Sequence, residues 1–310
     1  MNNIPKPLAR FYVQKSTGET EIFSQEKLKQ SLMRSGAESG VIERIVSEIL
    51  EWMEVETKRL SETSDSVRWG QAGMDSVFAI PSKKIYTMAF SLLRKRTTSN
   101  AARYKLKSAM MEMGPTGHPF EHFAGEIYKA LGYDVEVAKT LDGYCVTHEV
   151  DVIATKNGEQ RFIECKYYQS TGKNANVQVP LYIRSRVDDI IKFRKTRAEY
   201  DGFEFSGGIV TNTRFTVDAE RYGECSGLHL LSWDYPKGEG LREIIDREGI
   251  YPITSLTNLS KLDKQHLMEK NIVTCPQVLQ DPSTLDSLNL NSNKLAKILE
   301  EVAQLCQNLR

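Results

Sequence analysis

Two carboxylates and one amine stand on neighbouring predicted strands in the middle of the chain. Asp151 lies within the run Val150–Ala154, and Glu164 and Lys166 follow in an Asp-x₁₂-Glu-x-Lys array. Alternate side chains of a strand share a face, so Glu164 and Lys166 point the same way. Two carboxylates with open positions can hold a hard Mg²⁺ ion near a phosphate, where the ion polarises the phosphoryl oxygen and lowers the pKa of a bound water. A lysine beside them can orient that water or offset developing negative charge, whereas an exposed Glu-x-Lys on an edge strand is the plainer alternative.

The elements that must position these side chains alternate between helix and strand. Apolar residues from Phe120 to Leu131 recur with the helical period, and Gly132 ends the pattern. The remaining patterns predict strands at Tyr133–Val137, Glu149–Ala154, Arg161–Tyr167 and Gly207–Thr211, and a basic helix at about 181–200. Such an order predicts an α/β (α+β) fold in which helices flank a mixed sheet.

Two further polar residues stand next to Asp151. Strand alternation places Glu149 on the side of Asp151 and His148 on the opposite side. A titratable ring alone proves no role, so the sequence leaves a structural and a catalytic role for His148 open.

These motifs resemble a known family in their order along the chain. Phe120-Glu121, the helix end Leu131-Gly132-Tyr133, HEVDVIA at 148–154, IECK at 163–166 and IVTNTRFT at 209–216 are similar to the Mrr-type restriction endonuclease domain of the PD-(D/E)xK nuclease fold, over roughly residues 115–235. The resemblance implies Mg²⁺-dependent hydrolysis of DNA phosphodiesters. It implies that Asp151 and Glu164 are Mg²⁺ ligands, that Lys166 is the catalytic lysine and that Glu121 is the acidic residue of the first helix. Val150 stands where the motif has its proline.

A turn and a helix start near the N-terminus carry two lysines. Ser24 is a candidate N-cap, and Lys15 and Lys27 lie on either side of it in the sequence. Both lysines could meet phosphates near the helix start, although a solvated hairpin and helix explain the same spacing. The chain has no Gly-x₄-Gly-Lys-Ser/Thr motif, which argues against ordinary P-loop chemistry.

This segment, with Pro81–Tyr86 and Ala101–Tyr104, is similar to the ATP-cone, an adenine-nucleotide sensing module of ribonucleotide reductases and their zinc-ribbon repressors. The resemblance implies ATP or dATP as a regulatory ligand that is bound without hydrolysis. The positions that it assigns to nucleotide contact are Val13, Lys15, Glu21, Ser24, Lys27, Leu28, Ser82 and Tyr86. Because the chain lacks the repressor's Cys-x-x-Cys ribbon, the cone would regulate a different activity.

Two segments outside these motifs allow alternative interpretations. The leucine-rich C-terminus predicts short packed helices that resemble a helix-hairpin-helix module, and a small packing or oligomerisation domain fits equally well. A basic run on the predicted helix at 181–200 predicts DNA phosphate contacts or only a solvated face. Its members are Arg184, Arg186, Lys192, Arg194, Lys195 and Arg197.

The composition of the chain limits which classes of function it can have. The 310 residues include 41 basic and 41 acidic side chains, so DNA binding needs a local basic patch. No apolar run approaches the roughly 18 residues of a transmembrane helix, and the N-terminus lacks the apolar core of a signal peptide. Five dispersed cysteines argue against a disulfide framework, and we expect a cytoplasmic protein. Pro and Gly clusters predict three domains, at 1–113, 114–248 and 249–310.

The sequence therefore predicts a Mg²⁺-dependent DNA endonuclease of restriction or defence type that an N-terminal ATP-cone regulates and that forms a homo-oligomer. The alternative class is a non-cleaving nucleic-acid-binding regulator that senses adenine nucleotides.

Overall fold

The computed structural model describes residues 11–15, 17–62, 79–170 and 172–307, and the chain divides into two compact units, residues 1–105 and 106–310. The first unit contains three short strands and helices that pack around them. Its elements are β1 (Tyr12–Gln14), β2 (Thr20–Ile22), α1 (Gln25–Arg34), α2 (Ser39–Glu62), β3 (Ala79–Pro81), α3 (Ser82–Arg96) and the start of α4 (Thr98–Met110). β1 pairs antiparallel with β2 and parallel with β3.

Local signals explain where several of these elements begin. The Ser24 side chain accepts a hydrogen bond from the Lys27 amide and caps α1, as the sequence predicts. Apolar residues at about 82–112 follow a helical pattern in the sequence. The structure divides this stretch into two helices because Thr97 is extended (φ −148°, ψ 112°), and its carbonyl accepts the first helical bond of α4 from Ala101. Threonine favours such a helix start. The sequence also predicts a short strand at Arg10–Val13, and its first residue, Arg10, lies outside the described residues.

The second unit is built on a five-stranded mixed sheet in the order β10-β8-β6-β5-β4. β4, β5 and β6 are antiparallel neighbours, and β6, β8 and β10 run parallel. The elements of this part are α5 (His118–Ala130), β4 (Asp134–Asp142), β5 (Thr147–Lys156), β6 (Glu159–Lys166), β7 (Asn174–Ala175), α6 (Gln178–Arg194), a 3₁₀ helix (Ala198–Tyr200), β8 (Glu204–Thr211), β9 (Arg214–Phe215), α7 (Val217–Cys225) and β10 (Leu228–Leu231). The mixed α/β fold that the sequence predicts is confirmed.

Helices α5 and α6 cover opposite faces of this sheet. Gly125 of α5 lies so close to Val137 of β4 that an added Cβ would come within 2.9 Å of a Val137 methyl group. Val137 pairs with Val152, and paired residues share a face, so Val152 also faces α5. The next residue, Ile153, instead joins the buried cluster that includes Val187 of α6. The sheet therefore holds its central strands between two helical layers.

The C-terminal part is helical, as the leucine pattern predicts. It comprises α8 (Leu241–Glu248), a 3₁₀ helix (Ile253–Ser255), α9 (Lys261–Glu269), α10 (Cys275–Gln280), a second 3₁₀ helix (Pro282–Leu288) and α11 (Ser292–Cys306). Glu301 of α11 is fully buried, and its carboxylate accepts hydrogen bonds from the Thr257 amide (2.8 Å), the Asn258 amide (3.2 Å) and the Asn258 side chain (2.9 Å). Among the described residues, none of the helices has the length and apolar character needed to cross a membrane.

Replacing Glu301 by Ala removes the acceptor that three N–H groups share in the folded chain. We expect the free energy of unfolding to fall by about 2–4 kcal/mol, because donors left without an acceptor in the folded state keep their desolvation cost. Urea denaturation of the full chain measures this loss. The neighbouring exposed Glu300→Ala variant is the control, and equal midpoints for the two variants would contradict the prediction.

Candidate active site

The candidate site forms where β5 separates from β6. The ladder between these strands runs from Lys156–Glu159 to Val152–Ile163 and stops there. At the next position the Asp151 carboxylate, rather than a strand carbonyl, accepts a hydrogen bond from the Cys165 amide at 2.6 Å. The side chain of Asp151 thus joins the two strands at the point of separation.

The pairing of β5 with its other neighbour, β4, is also interrupted at Asp151. The β4–β5 ladder skips the pair formed by Ala138 and Asp151, and Ala138 adopts a positive φ of 53°, a region that alanine rarely occupies. Val150 and Ile153 nevertheless belong to the same buried cluster under α6. Residues three apart cannot share a face of a regular strand, so β5 is kinked between them.

His148 and Glu149, the polar residues that precede Val150 on β5, lie in different surroundings. His148 lies on the α6 side of the sheet, where its Nε2 is 2.8 Å from the Asp189 carboxylate, and Glu149 is exposed. Asp189 also accepts hydrogen bonds from the amides of Cys145 (2.9 Å) and Val146 (3.3 Å) in the β4–β5 turn. The geometry gives His148 and Asp189 a structural role, because together they fix the hairpin to α6.

Glu164 lies opposite Asp151 on β6 and is 7% exposed. Its Oε1 accepts hydrogen bonds from Lys166 Nζ (2.5 Å) and the Tyr182 hydroxyl (2.6 Å), and its Oε2 accepts one from the Arg186 guanidinium (2.6 Å). Glu164 and Lys166 therefore meet on one side of β6, in the arrangement that their spacing predicts. No sequence pattern points to Tyr182, because only the packing of α6 brings its hydroxyl to Glu164.

Negative charge accumulates at this junction. Burial, followed by the charge of Glu164, raises the pKa of Asp151 to about 7; the charge of Glu121 on α5 adds a smaller increase, and the bond from the Cys165 amide opposes the rise. The carboxylate of Glu121 lies 3.4 Å from His118 Nδ1. The charges of Glu164 and Glu121 thus both act on Asp151, where β5 separates from β6.

Lys166 supplies a fixed positive charge beside these carboxylates. Burial alone would lower the pKa of its ammonium, but the hydrogen bond and the charge of Glu164 outweigh burial and raise this pKa. Its Nζ also lies 5.5 Å from the centre of the Tyr182 ring. Lys166 consequently remains protonated at neutral pH.

The carboxylates suit a hard divalent cation better than a structural zinc ion. Within the described parts of the chain, His, Cys, Asp and Glu side chains form no group of three or more that could hold a metal on its own. Mg²⁺ needs less, because it keeps several waters and is commonly held by one or two carboxylates. A divalent cation would also relieve the repulsion that raises the pKa of Asp151. Asp151 and Glu164 therefore fit such an ion.

Comparison with known proteins agrees with this geometry. Residues 113–235, which include all four predicted catalytic side chains, match the family described as Restriction endonuclease (Mrr_cat). This part of the chain is similar to a restriction endonuclease domain. Beyond it, residues 251–306 match the family described as AF1548-like, C-terminal.

Two relatives match a larger share of the chain. An uncharacterized protein of Archaeoglobus fulgidus is 29% identical over 178 residues, which are 56% of this chain and 94% of that protein. The crystal structure of AF1548, a protein of unknown function, superposes with a TM-score of 0.50 at 26% identity and covers 62% of this chain and 98% of its own. Neither description states an activity.

The six basic residues predicted to contact DNA occupy different environments on and after α6. Arg184 pairs with Asp188, and Arg186 pairs with Glu164 inside the site. Arg194 stacks on the Tyr200 ring at 4.1 Å and is half-buried. The three that are exposed are Lys192, Lys195 and Arg197.

The residues predicted to contact nucleotide lie near one end of the small sheet in the first unit. Lys15 and Lys27 approach the same carboxylate, that of Glu21, at 2.8 Å and 3.4 Å. Ser24 is occupied as the cap of α1, and Val13 and Leu28 are buried in the core of this unit. Ser82 begins α3, and the Tyr86 ring stacks on Tyr104 with centroids 5.1 Å apart.

Asp151→Asn should stabilise the protein in a pH-dependent way. The pKa of Asp151 is about 7 in the folded chain and about 3.9 when unfolded, so the folded state binds the proton more tightly and stability falls as pH rises from about 4 to 7. Asn keeps an oxygen for the Cys165 amide without the charge. We expect a gain of about 1–3 kcal/mol at pH 8 that vanishes near pH 4, in denaturation without divalent ions.

The exposed Asp142→Asn variant on β4 is the control, because it removes the same charge outside the junction. An equal gain from Asp151→Asn at both pH values would show that its charge is not the cause.

Proposed function

We propose that this protein is a Mg²⁺-dependent DNA endonuclease of restriction or defence type. The observation that carries the proposal is the meeting of Asp151, Glu164 and Lys166 at the separation of β5 from β6, within a restriction endonuclease domain. Glu164 is buried and Asp151 is half-buried, and the charge of Glu164 disfavours ionisation of Asp151, so a cationic ligand accounts for the pair best.

In this proposal each side chain has a separate role. Asp151 and Glu164 would hold the ion, and Glu121 adds a third negative charge nearby. When bound, Mg²⁺ supplies Lewis-acid polarisation of a phosphoryl oxygen and a water of lowered pKa. Lys166, which remains protonated, offsets the negative charge that develops on the phosphoryl oxygens. Tyr182 orients Glu164 through its hydrogen bond to Oε1.

DNA binding would depend on a local cluster of basic side chains, because the chain as a whole has equal numbers of basic and acidic residues. Lys192, Lys195 and Arg197 support this proposal, since they are exposed at the end of α6 and beyond it. Phosphate contacts of this kind supply most of the affinity that does not depend on base sequence. We propose these three as the outer DNA contacts.

A non-cleaving DNA-binding regulator is the alternative, and the acidic junction argues against it. Carboxylates repel phosphate unless a cation lies between them, so a protein that only binds DNA gains nothing from placing Asp151 and Glu164 together. Plasmid DNA incubated with the protein and Mg²⁺, with and without EDTA, separates the two functions.

Asp151→Ala, Glu164→Ala and Lys166→Ala should each lower the rate of plasmid cleavage by at least about 100-fold, because each removes a charge that the reaction needs. DNA binding should survive, since carboxylates repel phosphate. Gel assays of nicked and linear plasmid, with filter binding in parallel, measure both effects.

The matched control is Glu159→Gln, which alters an acidic residue of the same strand at its opposite end, where Glu159 pairs with Arg161. Wild-type cleavage by the Asp151→Ala protein would refute the assignment of the site.

We also propose that ATP or dATP binds the first unit and regulates cleavage. Lys15 and Lys27 support this proposal because their ammonium groups gather beside the start of α1, where backbone N–H groups also favour anions. A nucleotide phosphate would replace Glu21 as their shared partner.

Calorimetry of the full chain should therefore show saturable binding of ATP or dATP with micromolar affinity, which corresponds to about −8 kcal/mol. Lys15→Ala/Lys27→Ala should lose this binding and the effect of nucleotide on cleavage. Lys29→Ala, which removes a lysine of α1 paired with Glu43, should behave like the wild type. No saturable binding by the wild-type chain would refute this part of the proposal.

A further inference from the structure

Arg186 contributes one of the closest contacts to the candidate metal ligand Glu164. Its guanidinium lies 2.6 Å from Glu164 Oε2, whereas Lys166 and Tyr182 share the other oxygen, Oε1. Any ion that uses Oε2 must therefore compete with Arg186. Lys166 and Tyr182 thus hold one oxygen of the carboxylate, and among the described residues Arg186 holds the other.

The surroundings of Arg186 allow its guanidinium to leave Glu164. The same nitrogen donates to the Glu149 carbonyl at 3.1 Å, and the guanidinium lies 5.2 Å from the centre of the Tyr182 ring. The side chain is 26% exposed, so it reaches from the buried carboxylate towards solvent. Lys166, by contrast, is tied to Glu164 by the short strand segment between them.

Arginine also has the chemistry that a nuclease site requires at this position. Its guanidinium is always charged and matches the geometry of phosphate oxygens as well as that of carboxylates. In the present geometry it neutralises Glu164, which is buried and close to a second carboxylate. A cation that takes over this neutralisation sets the guanidinium free at the edge of the site.

We propose that Arg186 exchanges Glu164 for a DNA phosphate when a divalent cation occupies the site. Before metal binding, Arg186 holds Glu164 in position and compensates its charge. After metal binding, the same guanidinium binds a phosphate oxygen of the substrate and becomes a catalytic residue. The inference rests on the proposed nuclease function, and it adds an ordered coupling between metal and DNA binding.

A purely structural Arg186, which only ties α6 to β6, makes a different prediction. Its loss would weaken the fold and the site equally with and without metal. The exchange instead requires that Arg186 oppose metal binding in the free protein and contribute to DNA binding only when metal is present. Metal affinity and the salt dependence of DNA binding test these two requirements without relying on cleavage.

The first measurement is Mn²⁺ binding to the full chain without DNA, followed by electron paramagnetic resonance. Arg186→Gln should bind Mn²⁺ about fivefold more tightly than the wild type, because no ion pair has to be displaced. Arg247→Gln is the matched control, since it removes an arginine that pairs with Glu239 and Glu248 outside the site. Equal or weaker Mn²⁺ binding by Arg186→Gln would overturn the exchange.

The second measurement is the affinity for a 30-base-pair DNA duplex at several salt concentrations. It is made once with Ca²⁺ at 4 °C and once with EDTA, and a gel verifies that the duplex stays intact. With Ca²⁺, the slope of log affinity against log salt should be smaller by about 0.9 for Arg186→Gln than for the wild type, the loss of one phosphate contact. With EDTA the two slopes should agree. Equal slopes with Ca²⁺, or the same difference with EDTA, would overturn the proposal.

These outcomes are distinguishable from failure of the proposed function. A wild-type chain that binds neither Mn²⁺ nor Ca²⁺ at this site, and that cleaves no DNA with Mg²⁺, refutes the nuclease itself. A wild-type chain that binds metal and cleaves DNA, together with an Arg186→Gln variant of unchanged metal affinity, refutes only the exchange. Thermal unfolding of each variant establishes that the fold is intact.

Discussion

The hydrogen bond from the Cys165 amide to the Asp151 carboxylate is the constraint on which the site depends. It closes the gap that opens when the β5–β6 ladder ends at Val152–Ile163. A regular ladder would send Asp151 and Glu164 to positions fixed by the pleat and would leave no room between the strands. The separation instead lets the Asp151 carboxylate reach the Cys165 amide beside Glu164, and this single amide bond keeps Asp151 from turning away. The positive φ of Ala138 on the opposite side shows that β4 also bends to accommodate this arrangement.

The charge balance of the site depends on where helix α6 packs. A buried carboxylate beside a half-buried one would be costly if it were left uncompensated, because the charge of Glu164 disfavours ionisation of Asp151. Lys166 of β6 compensates the charge of Glu164, and α6 contributes hydrogen bonds to Glu164 from Tyr182 and Arg186. The apolar residues of α6 provide the driving force for packing, and its polar residues arrive at Glu164 as a result. The site is thus a product of the sheet and one helix rather than of a flexible loop.

The sequence predicts this site in part, and the limits have physical causes. The spacing of Glu164 and Lys166 predicts their shared side because β6 is regular there. The sequence does not predict the kink at Asp151, because it follows from the pairing of β5 with β4 and β6, and no glycine or proline marks it. The contact of Tyr182 with Glu164 depends on the approach of α6, which a single sequence does not encode locally. The apolar pattern likewise does not predict the helix boundary at Thr97. The helical period of apolar residues continues across Thr97, and the boundary is set by the extended backbone of this one residue.

Asp189 of α6 connects the helix that holds the site to the turn at the far end of the β4–β5 hairpin. Arg186 holds Glu164, and Asp189, less than one helical turn later, holds His148 and the amides of Cys145 and Val146. The turn and the acidic junction therefore share one anchor, and local opening of α6 must release both together. Such segments exchange their amide hydrogens as one cooperative unit. Hydrogen-exchange protection of the amides in the β4–β5 turn therefore reports whether the contacts of α6 with the acidic junction are intact.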